Sequence, residues 1–185
     1  MIRVRAHSSR VVNATRQVCS DYIRDARNLG DYEQKVTRCT VDRRRADGCT
    51  YSCRGWYFGL PWLATFDMHH RPDGGFSSVA HGAPDIVTGG FVLVPLDAGR
   101  TRVTHWEDYR FPWWIPMLWA ARPWVERWLQ RSLEVELDIV RESMEYLERH
   151  GYEEPVLPPD RSVACRASRY SLAAFAREQL AQPVR

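Results

Sequence analysis

Lysine is almost missing from this chain: Lys35 stands alone, and every other basic side chain is arginine. A GC-rich genome accounts for that bias, which speaks of source rather than mechanism. No apolar run approaches the roughly 20 residues that cross a bilayer. The opening Met1-Ile-Arg-Val-Arg alternates apolar and charged residues instead of forming a signal's apolar core. The expectation is a soluble, cytoplasmic protein, and Asn13-Ala-Thr15 then carries no weight as a glycosylation acceptor. Charge of one sign is also scarce. The net charge is +3, and the densest basic run is Arg43-Arg44-Arg45. That run reads as a solvated strand end, so no nucleic-acid partner is expected. The five cysteines are odd in number and unclustered, which argues against a disulfide framework. Cys49 and Cys53 lie four apart on a predicted strand, not in a turn, and read as buried thiols. There is no nucleophile elbow, phosphate-cradling loop or dinucleotide fingerprint. Covalent catalysis and nucleotide use are therefore not expected, and no cofactor is implied.

What is present fits one domain with a short appendage: 185 residues, 44% hydrophobic, 26% charged and 12% aromatic. Residues 2–8 alternate as a half-buried strand, with Ile2, Val4 and Ala6 on one face. Ala14 to Asp25 reads as a helix with Asn13 or Thr15 as its cap, and a short turn follows through Leu29 and Tyr32. Turn signals then divide 35–111 into strands at 35–45, 49–58, 62–71, 76–81, 86–95 and 100–111. Asp47-Gly48, Gly59, Asp73-Gly-Gly75, Gly82-Ala-Pro84 and Asp97-Ala-Gly99 mark the breaks, so the sheet reads as an antiparallel meander. Pro123 fits the first turn of a long amphipathic helix. From there Val125, Leu129, Leu133, Leu137, Val140, Met144 and Leu147 recur every three or four residues up to Gly151. The domain is expected over 1–150. Residues 151–185 are expected to hold a Pro155, Pro158, Pro159 linker and a short helix or tail. The predicted class is α+β: a curved antiparallel sheet of six to seven strands wrapped around one long C-terminal helix. A helix laid across a concave sheet leaves a hollow.

Three stretches carry a resemblance. Asp21-Tyr-Ile-Arg-Asp25 with Asn28 and Tyr32 follows the first strand. Thr101-Arg-Val-Thr-His-Trp-Glu-Asp-Tyr109 with Phe111-Pro112 forms the last strand and its exit. Arg131 to Val140 belongs to the closing helix. Together they make residues 1–150 resemble the START-like, or SRPBCC, superfamily with its helix-grip fold. Its members include polyketide cyclases/dehydrases, coenzyme-Q-binding proteins and the birch pollen allergen group. The resemblance implies a hydrophobic small-molecule ligand in an internal cavity. It implies either cyclase/dehydratase chemistry or non-catalytic carriage of a lipid or quinone.

Strand parity places Val103, His105, Glu107 and Tyr109 on one face of the last strand. A histidine and a carboxylate two residues apart sit about 7 Å apart along the strand, and their side chains can meet. His105 and Glu107 are thus the candidate acid/base pair, with a self-satisfied ion pair as the alternative. Tyr51 and Tyr57 share a face and are candidates to orient ligand oxygens. His70 shares a face with Trp62, Phe66 and Met68, and Phe66, Phe91 and Tyr109 complete the expected lining. His70, His81 and His105 suffice by number for a metal, but no metal-binding spacing supports one, and none is expected. Trp113, Trp114, Trp119, Trp124 and Trp128 crowd into sixteen residues. They are expected to plug the core or to line the ligand entrance. A third reading is contact with a membrane interface or a partner. The chain is expected to work as a monomer or homodimer.

Overall fold

The computed structural model describes residues 2–57, 60–81, 86–111 and 116–151. The side chains of Tyr57, Leu60, Ile86 and residues 111–120 fall outside that description, as do Trp113, Trp114 and the whole 152–185 tail. Strand β1 (Ile2–Val12) is followed by α1 (Arg16–Arg24), a 3-10 turn (Ala26–Asn28) and α2 (Leu29–Tyr32). Then come β2 (Val36–Arg45), β3 (Gly48–Tyr57), β4 (Leu60–His70), β5 (Phe76–His81), β6 (Ile86–Pro95) and β7 (Thr101–Phe111). Helix α3 (Pro116–His150) is the last described element.

The strands form one antiparallel sheet in the order β1-β7-β6-β5-β4-β3-β2. Consecutive strands from β2 to β7 are neighbours, and the α1/α2 segment carries the chain from the β1 edge to the β2 edge. β1 alternates buried and exposed along most of its length, and Ile2, Val4 and Ala6 face inward. Thr15 starts α1 by accepting a hydrogen bond from the Val18 backbone N–H. Gly90 is required where β6 meets β5, because a Cβ there would lie 2.1 Å from the Phe76 carbonyl oxygen.

Helix α3 is longer than its sequence pattern suggests. It begins at Pro116, which takes the early position where a missing N–H costs nothing, and Pro123 lies inside the helix. An interior proline costs about 3 kcal/mol. Packing offsets it: Val125, Trp128 and Leu129 are buried beside Ile2, Val4, Ala6 and Tyr109. Each such side chain is worth roughly 1.5–3 kcal/mol. Farther along, Leu137, Val140, Met144 and Leu147 join the main core with Tyr22, Tyr32, Phe76 and Phe91.

The outer face of β7 carries a different arrangement. Asp108 accepts hydrogen bonds from Arg3 Nε at 2.8 Å and from Arg5 Nε at 3.3 Å. The bonds from Arg3 outweigh burial and hold the Asp108 carboxyl below its usual range. A depressed carboxyl stabilises the fold above the unfolded aspartate value of about 3.9 and loses that contribution as pH falls through the lower folded value. Asp108→Asn should therefore lower the urea midpoint at pH 6. The gap from wild type should narrow as pH falls below the unfolded value and close once the lowered folded value is passed. A gap undiminished at pH 2 would refute the assignment.

Candidate active site in the sheet–helix cavity

A cavity of about 400 Å³ lies on the inner face of the sheet. Its apolar wall includes Leu29, Tyr51, Trp62, Phe66, Phe76 and Phe91. Its polar wall is formed by Glu33, Lys35, His105, Glu107 and Tyr109.

The polar wall, with two fully buried groups of α3 behind it, is assembled from three distant parts of the chain. β7 supplies His105, Glu107 and Tyr109, all buried and all on the inward face. The turn between α2 and β2 supplies Glu33 and Lys35. Helix α3 supplies Ser132 and Glu136, one helical turn apart on its buried side. Lys35 is held by its backbone as well as its head group. Its carbonyl accepts from the Trp56 N–H at 3.1 Å and from Trp62 Nε1 at 3.0 Å. Gly55 permits this approach, since a Cβ there would lie 1.8 Å from the same Lys35 oxygen.

The Lys35 ammonium gathers three carboxylates. Nζ lies 3.0 and 3.2 Å from the two Glu107 oxygens, 3.1 Å from Glu33 Oε1 and 3.4 Å from Glu136 Oε1. Tyr109 donates its hydroxyl to Glu107 Oε2 at 2.9 Å. Ser132 donates to Glu136 Oε1 at 2.6 Å. His105 stacks on Phe91 with ring centroids 4.2 Å apart, and its Nδ1 faces Glu136 Oε2 at 3.5 Å.

These contacts set the charges. Burial pushes Lys35 down, but Glu107, Glu136 and Glu33 outweigh it and hold the ammonium well above its ordinary value. Burial pushes Glu107 up, but Lys35, His105 and the Tyr109 hydroxyl bring it below the usual range. Glu136 goes the other way: burial and the neighbouring Glu33 raise it well above an ordinary carboxyl. Glu33 is raised too, chiefly by burial. Burial lowers His105 to about 4, so its imidazole is neutral at pH 7. The wall thus holds an ammonium and a carboxylate side by side, with a neutral imidazole next to them.

Of the side chains proposed from sequence, Tyr51, Phe66, Phe91, His105, Glu107 and Tyr109 line the cavity. Tyr51 stacks on Phe66 at 5.1 Å. The placements differ for three others. His70 is half-buried at the C-terminal end of β4, opposite Phe76, and does not line the cavity although its partner does. Trp128 is buried in the second core cluster against β1, as the core-plugging reading expects and the cavity-lining one does not, and Trp124 is exposed. Both follow from α3 starting earlier, which turns this stretch along the β1 edge. The expected pairing of His105 with Glu107 is also altered. Glu107 is engaged by Lys35 and Tyr109, and His105 Nδ1 faces Glu136 Oε2 instead. His70, His81 and His105 are not brought together. His81 meets Asp67 at 3.2 Å on the surface.

Glu33, Lys35 and Glu136 escape the sequence reading. Two signals point to them. A single lysine among arginines stands where three acids converge, and a compact ammonium with three donors suits that task better than a planar guanidinium. Ser132 and Glu136 break the apolar stripe of α3 at positions that share its buried face.

No family model and no curated protein matches the sequence. Solved structures do. The Zhui aromatase/cyclase from Streptomyces sp. R1128 matches 79% of this chain and 96% of its own, with TM-score 0.69 and 13% identity. A START superfamily protein from Mycobacterium smegmatis matches 79% of this chain and 97% of its own, with TM-score 0.58 and 12% identity. The chain has the START-like, helix-grip fold. A di-domain aromatase/cyclase, StfQ of the steffimycin biosynthetic pathway, shares this START-like fold over 81% of the present chain and 53% of its own. Its TM-score is 0.66 at 16% identity. No described helix of the present START-like chain is long and apolar enough to cross a membrane.

Proposed function

We propose that this START-like protein binds an apolar, carbonyl-bearing small molecule in the cavity and moves protons on it, as a polyketide cyclase or dehydratase does. The observation that carries this reading is the meeting of an aromatic-lined hollow with a buried ammonium, a neutral imidazole and a phenol. A flexible chain folded against Tyr51, Trp62, Phe66 and Phe91 loses the entropy that opposes ring closure. The N–H and O–H groups of Lys35 and Tyr109 are held by acids in the unliganded cavity, and an enolate oxygen that takes the place of Glu107 accepts them, which favours removal of a proton α to a carbonyl; closure of that carbon on the distal carbonyl with loss of water gives the ring. His105, neutral at pH 7, accepts that proton, and Glu107 holds Lys35 in place before the ligand enters. The aromatase/cyclase names of two structural neighbours support the same substrate class.

The test is conversion of a synthetic aryl β-triketone to its aromatic cyclised product, followed by chromatography. His105→Ala should lower kcat by about 100-fold or more while leaving ligand affinity within a few-fold. Glu107→Gln should lower both, because it releases Lys35. Unchanged turnover in both variants would remove the catalytic reading. One observation favours a non-catalytic alternative: Glu107 is already engaged by Lys35 and Tyr109. Native mass spectrometry showing a retained lipid or quinone, without triketone turnover, would identify a carrier.

A further inference from the structure

Glu136 and His105 face each other across a gap that no hydrogen bond fills. Glu136 Oε1 is engaged by Ser132 and Lys35, at 2.6 and 3.4 Å. Its Oε2 and His105 Nδ1 are buried, without a hydrogen-bond partner among the described residues, and 3.5 Å apart. His105, Glu107 and Glu136 each offer a ligand atom, all within 4.8 Å of one another.

Geometry and charge point the same way. Two ligands about 2.1 Å from a tetrahedral ion stand about 3.4 Å apart, close to the observed Glu136–His105 gap. Glu33, Glu107 and Glu136 bring three potential negative charges to one ammonium, and their side chains are 10%, 8% and 0% exposed, with Lys35 at 6%. A surplus of two buried negative charges is not sustained. Either two protons or one divalent cation neutralises it.

We propose that His105 Nδ1, Glu136 Oε2 and one oxygen of Glu107 form a binding site for a single first-row divalent cation at the polar wall of the cavity. One imidazole nitrogen with two carboxylate oxygens matches zinc, and the set contains no soft sulfur. Lys35 keeps Glu33 at 3.1 Å when Glu107 turns one oxygen to the ion. His105 and Glu107 both line the cavity, so the remaining coordination position opens toward it. On the cavity reading above, that position takes a carbonyl or enolate oxygen of the ligand; with its one lone pair on the ion His105 is a ligand and not the base, so the loaded form acts by Lewis-acid polarisation and the metal-free form through His105.

The test uses the full chain, stripped with EDTA and dialysed against zinc chloride without any organic ligand. Elemental analysis should find one zinc per chain. His105→Ala and Glu136→Gln should each weaken zinc binding by about 100-fold or more in competition with a chelating dye. X-ray absorption of the loaded wild-type chain guards against variants that fold poorly. It should show nitrogen and oxygen donors near 2.0–2.2 Å and no sulfur. Sulfur donors would place the ion on the chain's cysteines and overturn the proposal. So would substoichiometric zinc, which means that protons alone neutralise the cluster. Because zinc is measured without ligand, its failure leaves the cavity reading standing, and a failed triketone assay leaves the metal site standing.

Discussion

Lys35→Met should destabilise the protein by about 3–5 kcal/mol, the scale seen when one partner of a buried ion pair is removed. For a chain of this size that is roughly ten degrees of melting temperature. The cause is the convergence of Glu33, Glu107 and Glu136 on one ammonium, with none of the four side chains more than 10% exposed. Without Lys35 the carboxyls must take up protons or swing toward water, and Glu107 keeps only the Tyr109 hydroxyl among its strong donors. Urea denaturation at pH 7 in EDTA measures the loss. Adding Glu107→Gln to the variant should recover part of it, because one uncompensated charge is removed. A loss below about 1 kcal/mol would mean that the cluster is wet and worth no more than a surface pair.

Gly55→Ala should act on the same cluster from the backbone side. The new methyl would start 1.8 Å from the Lys35 carbonyl oxygen, a backbone atom that cannot rotate away. β3 and the start of β2 must separate. The Trp56 N–H and Trp62 Nε1 then lose their shared acceptor. Overpacking with loss of buried hydrogen bonds amounts to roughly 3 kcal/mol. A readout specific to this position is the cavity itself: a displaced Lys35 changes its polar wall, so turnover of the triketone should fall further than stability alone requires. Wild-type stability in Gly55→Ala would show that the strands separate at no cost.

Much of the fold is readable from residue order. The turn residues at Asp47-Gly48, Asp73-Gly-Gly75 and Asp97-Ala-Gly99 coincide with the observed breaks between strands, because glycine and aspartate satisfy turn geometry locally. The three- and four-residue spacing from Val125 to Leu147 locates the buried side of α3 for the same reason: a helix repeats every 3.6 residues whatever it packs against. Parity on β7 placed His105, Glu107 and Tyr109 on the inward face. The helix start was not readable. Pro123 looks like a beginning because a proline in mid-helix is costly, and only the packing of Val125 and Trp128 on β1 makes it tolerable.

The candidate site divides along the same line. Sequence alone determined which strand carries the histidine and the acid, since alternation along β7 depends on neighbours in the chain. Tertiary structure decided what those groups meet. Lys35 enters from a buried turn with no period to betray it, and Glu136 arrives from a helix on the opposite layer. A lone lysine gains its meaning only when three carboxyls, 2, 72 and 101 residues away along the chain, close around it. Charge pairing across that distance is a property of the folded volume, and no local rule encodes it.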